Sequence, residues 1–188
     1  MSTMTYITMG ASLAILAATV VLYNRLIALS RRCEQAFADI DVQLKQRHDL
    51  VPNLVETVKG YAKHERATLE AVMQARSAAM QPASPAAHLQ AETALGATLG
   101  RLFALAEAYP DLKASANFSH LAQELGDIED KIAAARRFLN GAVSEYNASL
   151  EQIPANLVAL LFGMEPKVFF DLGTETRTRL EIAPAVQL

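Results

Sequence analysis

The sequence predicts an all-α protein in which an N-terminal transmembrane helix continues into an antiparallel four-helix bundle. Three observations predict it. No charged side chain occurs from Ser2 to Asn24, apolar residues then recur three and four apart, and the composition favours helix over sheet. Of 188 residues 52% are hydrophobic but only 6% aromatic, with no tryptophan, so alanine and leucine carry the apolar content. Glycine is too sparse for a turn-rich β architecture. The length suits one domain plus a membrane segment.

The first element is the span. Its apolar part, residues 4–23, reaches about 30 Å at about 1.5 Å per residue, the thickness of a bilayer core. A cleaved signal peptide fits less well. No basic residue precedes the run, the run is too long for a signal core, and no Ala-x-Ala pattern follows. A lipoprotein signal fails because Cys33 follows Arg32 rather than a small apolar box. Arg25, Arg31 and Arg32 crowd the C-terminal flank, so the positive-inside rule puts the N-terminus outside and the helical domain in the cytoplasm of an inner-membrane, single-pass protein. Gly10, Ala14 and Ala18 form a small-residue stripe compatible with a homo-oligomer, although an alanine-rich span explains it as simply.

The next stretch carries Leu26, Leu29, Cys33, Phe37, Ile40 and Leu44 on one seam and follows the span without a break, because neither Pro nor Gly intervenes. Asp49 can cap a second helix with Pro52 in its first turn; a kinked continuation through Pro52 is the alternative. The second stretch sets Val51, Leu54, Val58, Ala62, Leu69, Val72 and Ala79 on one side and ends at the linker Gln81-Pro82-Ala83-Ser84-Pro85. Ser84 is expected to cap a third helix with Pro85 at its first position. Leu95, Leu99, Leu102, Ala106 and Tyr109 mark that helix, which stops at Pro110-Asp111. Asn117 is expected to cap the fourth, whose residues from Phe118 through Leu139, Tyr146 and Ile153 keep nearly a coiled-coil heptad. The chain thus divides into a transmembrane anchor (1–24), a four-helix bundle (25–155) and an apolar C-terminal segment and tail (156–188). Leu157 to Phe162 either pack against the bundle base or lie at the membrane interface, and the last ten or so residues are expected to be disordered.

Several stretches resemble the LemA family. The densest runs from Ile40 to Val55, IDVQLKQRHDLVPNLV, and continues through Thr57-Val58-Lys59-Gly60-Tyr61-Ala62 and His64-Glu65. A second is Tyr109-Pro110-Asp111-Leu112-Lys113-Ala114 with Asn117-Phe118 and Leu121; a third is Ala135-Arg136-Arg137 with Asn140 and Tyr146-Asn147. Tyr23-Asn24 adds a short match, and the resemblance reaches about Glu165. Where the family carries Tyr-Asn this chain has Leu139-Asn140, so no phenol stands there. The resemblance implies a membrane-anchored helical bundle with no established enzymatic activity and supplies no catalytic residue.

The residues themselves point away from catalysis. The positions three before His48, His64, His88 and His120 are Lys45, Tyr61, Pro85 and Asn117, so the Glu-x-x-His motifs of di-iron bundles are missing. His64-Glu65 opens like a zinc-protease motif, but position 68 is Thr68. Neither a glycine-rich phosphate loop nor Gly-x-Ser-x-Gly occurs. No catalytic residue, cofactor or metal is expected. Lone Cys33 has no partner for an internal disulfide, and a net charge of -3 without a basic block gives no sign of nucleic-acid binding.

Following helix directions out from the bilayer, the turns Arg47–Asn53 and Tyr109–Lys113 share the end away from the membrane. Arg47, His48, Asp49, Asn53, Tyr109, Asp111 and Lys113 are therefore the candidate surface for an unknown protein partner, although Arg47-His48-Asp49 serves equally as a turn and cap. The expectation is a membrane-anchored scaffold or adaptor, held by the lipid bilayer and recruiting a protein. A self-associating membrane-organising protein and a sensory helical module are the alternatives.

Overall fold

The computed structural model describes residues 3–81 and 85–170, of 85 and 86 the backbone alone. Every regular element among them is an α-helix: α1 (Thr3–Tyr61), α2 (Arg66–Met80), α3 (Pro85–Ala106), α4 (Pro110–Lys113), α5 (Ala116–Glu151) and α6 (Ala155–Leu161). The described residues form two compact units, one built from residues 3–40 together with 134–170, the other from residues 41–133. The long helices α1 and α5 contribute to both. Linker residues 82–84 with their expected cap Ser84, and the C-terminal residues from 171, lie outside the described residues.

In the first unit the N-terminal part of α1 stands apart from any core. Met4, Ile7, Leu13, Leu16 and Val21 are each more than half exposed, and the window of mean hydropathy 1.8 buries none of itself. Burial begins at Leu26 and continues through Leu29, Cys33, Ala36 and Ile40. Ala36 takes the seam position expected for Phe37, which points out and leaves room for close helix packing. Leu139, Ala142, Val143, Tyr146 and Leu150 of α5 and Ala155, Val158 and Ala159 of α6 are buried in the same unit. Ile153, expected on the α5 seam, lies beyond the helix end and is exposed. Burial pushes the Cys33 thiol up from its ordinary value, which keeps it protonated and unreactive.

In the second unit one apolar cluster joins Val51, Leu54 and Val58 of α1, Leu69 and Val72 of α2, Leu95, Leu99 and Leu102 of α3, Leu112 of α4 and Phe118 and Leu125 of α5. The expected helix start at Asp49 gives way to the alternative: α1 runs on through Pro52, and the chain reverses at Ala62–Glu65. A proline inside a helix removes the donor for the carbonyl four residues back, here that of His48. The structure replaces it from another helix. Arg76 of α2 donates its Nε–H to the His48 carbonyl at 2.6 Å. The α5 start also shifts: helix begins at Ala116, and Ser115 Oγ accepts the Phe118 N–H at 3.5 Å, so Ser115 takes the capping place expected for Asn117.

The borrowed donor is testable. Arg76→Met leaves the buried His48 carbonyl unpaired and is expected to cost about 1–3 kcal/mol. In a Pro52→Ala background, where residue 52 regains its N–H, the same change is expected to cost clearly less. Urea unfolding of the four proteins of this cycle measures the coupling, and purely additive costs would contradict it.

Candidate functional site

The most polar interior point of the second unit is a charge cluster built on seam positions. Arg47 and Glu92 are each only 2% exposed. Arg47 follows Leu44 by three residues and precedes Val51 by four, in line with the α1 seam; Glu92 stands three before Leu95 in line with the α3 seam. The Arg47 guanidinium donates through Nη2 to Glu92 Oε2 and through Nη1 to Glu129 Oε1 of α5, the latter at 2.5 Å. The His48 Nε2 lies 2.8 Å from Glu92 Oε1, and His88, one turn before Glu92, brings its Nε2 to 3.3 Å of the same oxygen. One carboxylate therefore gathers three cationic or cation-forming groups, while Arg76 ties α2 to the backbone of the same turn. Burial opposes the charge on Glu92, but the His48 and Arg47 contacts outweigh it and hold the carboxyl below the usual carboxylate range.

Both oxygens of the buried Glu92 carboxylate are engaged, Oε2 by Arg47 and Oε1 by His48 and His88. Its chemical capacity is to hold helices in one register. Among the described residues no group of three or more histidine, cysteine, aspartate or glutamate side chains is arranged to hold a metal ion.

The expected surface residues fall into three places. Arg47 and His48 turn inward into the cluster. Asp49 and Asn53 are exposed on the opposite side of α1 and line a groove of about 540 Å³ together with Gln46 and Leu50 of α1 and Glu124, Asp127, Ile128 and Lys131 of α5. Three carboxylates against one lysine make the groove acidic. Tyr109, Asp111 and Lys113 lie where α3 hands over to α4, beside the α1–α2 reversal, because the Tyr109 hydroxyl donates to Glu65 Oε1 at 3.2 Å. Asp111 is exposed, and Lys113 reaches Glu107 at 2.5 Å. Burial and the neighbouring Glu65 carboxylate raise the Tyr109 phenol, so it remains a donor at neutral pH.

The first unit contains a second polar feature, built on two asparagines of α5. Asn147 of α5 accepts the Lys167 N–H at 2.9 Å and donates to the Lys167 carbonyl at 2.9 Å. Asn140 repeats the pattern on Phe170, at 2.9 and 3.1 Å. Each carboxamide thus acts as a neighbouring peptide group would. Seven residues of helix rise about 10.5 Å and three residues of extended chain span about 10 Å, so the two asparagines match the two backbone sites in spacing. Lys167 then reaches α1, with Nζ on the Ser30 carbonyl at 3.1 Å and near Glu34 at 3.3 Å, and Arg136 stacks over the Phe170 ring at 5.0 Å.

These features sit within a recognised family. The sequence model of the LemA family matches residues 36–187. The chain belongs to the LemA family. Among curated proteins it is similar to magnetosome protein MamQ 2 of Paramagnetospirillum magneticum, 25% identical over 183 residues, which covers 84% of this chain and 67% of the relative. Magnetosome protein MamQ of Magnetospirillum gryphiswaldense is 23% identical over 174 residues, 79% of this chain and 64% of its own length. Protein LemA of Metamycoplasma hominis is 26% identical over 140 residues, covering 72% and 63%. The chain thus spans about two thirds of the length of these relatives. The charge cluster, the acidic groove and both asparagines of this LemA-family chain all fall inside the family match.

Glu92→Gln removes one partner from a buried ion cluster and is expected to cost about 3–5 kcal/mol at pH 7. Because the folded-state pKa of Glu92 is depressed, its stabilisation is complete above the ordinary carboxylate range and is lost as pH falls through the lowered value. Urea unfolding of both proteins from pH 7 to pH 3 should show the gap between them narrowing only at the acid end; a gap constant with pH would contradict the assignment.

Proposed function

We propose that this LemA-family chain is a membrane-anchored, non-catalytic scaffold that recruits a protein partner through the acidic groove of its second unit. Residues 4–23 of α1 cross the cell membrane once, with the N-terminus outside and an antiparallel four-helix bundle in the cytoplasm. The observation that carries the reading is the contrast along α1. The apolar stretch before Tyr23 buries none of itself, whereas the same helix buries Leu26, Leu29, Cys33, Ala36, Ile40 and Leu44. An exposed helical face of that size is stable in hydrocarbon and not in water. Arg25, Arg31 and Arg32 follow at once and favour the cytoplasmic side.

The partner reading is supported by Asp49 and Asn53. They are exposed, they carry no bond of the buried cluster beside them, and they share the groove with Glu124 and Asp127. Its net negative lining favours a basic segment of the partner, steered by charge. Burial of Glu92 with both its oxygens engaged supports a structural role for the buried charges, and the absence of a recognisable catalytic motif supports a binding role.

Two measurements test the reading. In a Cys33→Ala background, a membrane-impermeant maleimide should label Thr3→Cys, just outside the span, but not Gln35→Cys in intact spheroplasts; the reverse pattern would overturn the orientation, and labelling of both would overturn the span. A photo-crosslinker at Asn53 should yield one heteromeric adduct in native membranes, lost on combining Asp49→Lys with Asp127→Lys. Adducts with a second copy alone would replace recruitment by self-association.

A further inference from the structure

α6 is short, and its two sides differ sharply. Ala155, Val158 and Ala159 are buried, while Leu157, Leu160 and Leu161 are 64%, 82% and 73% exposed and Phe162 follows at 51%. Ile153, just before the helix, is exposed as well. No charged side chain lies between Glu151 and Glu165. A water-facing helix would place polar residues on that side; this one places leucines there.

The position of this face along α1 identifies what covers it. The Phe162 ring packs on Tyr23, with centroids 4.6 Å apart. Tyr23 closes the exposed apolar stretch of α1 and is followed by Asn24 and Arg25. Aromatic residues at that place form the belt at the headgroup level of a span. The exposed leucines of α6 therefore continue the lipid-facing surface of α1 sideways, at the depth where hydrocarbon gives way to headgroups.

The C-terminal end of α6 is held. Gly163, at φ +63°, ends the helix in the left-handed conformation, with the Met164 N–H on the Ala159 carbonyl at 2.9 Å and the Gly163 N–H on the Leu160 carbonyl at 3.4 Å. The chain then turns away, and Asn147 and Asn140 fix Lys167 and Phe170. A buried inner face, a fixed exit and an aromatic contact with the span together present the outer face in one orientation.

We propose that the outer face of α6, formed by Leu157, Leu160, Leu161 and Phe162, enters the interfacial layer of the bilayer that α1 spans, giving the protein a second, non-spanning contact with lipid. The inference rests on the span reading above, so the test separates the two. The chain contains no tryptophan, which lets a single introduced one report its own surroundings. Leu13→Trp, Leu160→Trp and Phe37→Trp are made one at a time in the full chain and reconstituted into phosphatidylcholine vesicles with and without brominated acyl chains. All three positions are exposed, so the substitutions displace no core residue.

The proposal expects Leu13→Trp and Leu160→Trp to emit at blue-shifted wavelengths and to lose intensity in brominated vesicles. Phe37→Trp should emit as in water and remain unquenched. Quenching of Leu13→Trp without quenching of Leu160→Trp would overturn the interfacial helix and leave the span standing. A blue-shifted but unquenched Leu160→Trp would also overturn it, because a protein surface, a second copy included, would then cover α6. An unquenched Leu13→Trp would remove the span, and the interfacial contact with it.

Discussion

The second unit depends on α1 remaining one helix across Pro52. A proline in a helix interior costs about 3 kcal/mol or more through the missing N–H and the clash of its ring with the carbonyl four residues back. Here the orphaned carbonyl belongs to His48, the residue whose ring bonds Glu92, and Arg76 supplies the replacement donor. The backbone defect and the buried charges are therefore not separate features. The turn of α1 that proline weakens is the turn that three other helices grip, Arg76 from α2, Glu92 from α3 and Glu129 from α5.

Such a cluster adds little net stability compared with a well-packed apolar core, since the desolvation of Arg47 and Glu92 offsets much of their attraction. What it adds is selectivity. Alanine- and leucine-rich seams tolerate sliding by one turn with modest loss of contact. A register shift that separates Arg47 from Glu92 leaves two buried charges unpaired. Asn140 and Asn147 impose a comparable condition in the first unit: their spacing suits a bound extended segment at one register, and a slip of one residue breaks the paired N–H and carbonyl bonds. For a chain proposed to hold a partner at a membrane, fixed geometry is the property that such polar devices supply.

The helices were largely legible in the sequence, and so was the exposed apolar stretch before Tyr23. The continuity of α1 was legible in part. The seam Leu44, Arg47, Val51, Leu54, Val58 keeps its phase through Pro52, which favours a single helix, yet a proline after Asp49 reads equally well as a helix start. The reversal at Ala62–Glu65 carried no strong turn signal beyond the nearby Gly60. Glu92 was missed, since in sequence it is only a glutamate in line with the α3 seam, and Arg76 carries no signal at all, because which cation reaches a bare carbonyl is settled by tertiary packing. Asn140 and Asn147 sit in sequence next to the seam residues Leu139 and Tyr146, but their partners lie 30 and 20 residues away in a segment without regular structure, beyond the reach of periodicity. Of the residues expected on the partner surface, Asp49 and Asn53 share the groove, and Arg47 and His48 were placed outward only because the turn was expected at Asp49–Pro52, inside α1, rather than at Ala62–Glu65.

The groove, the charge cluster and the Arg76 bond all require α1 to pass unbroken through the His48–Pro52 turn. Spin labels at Val42→Cys and Lys59→Cys, with Cys33 replaced by alanine, measure this directly by dipolar spectroscopy; both positions are exposed within the second unit. A continuous helix separates the two backbones by about 26 Å at 1.5 Å per residue. A reversal at Asp49–Pro52 would bring them to about 10 Å, the spacing of neighbouring packed helices, and would contradict the structure described here.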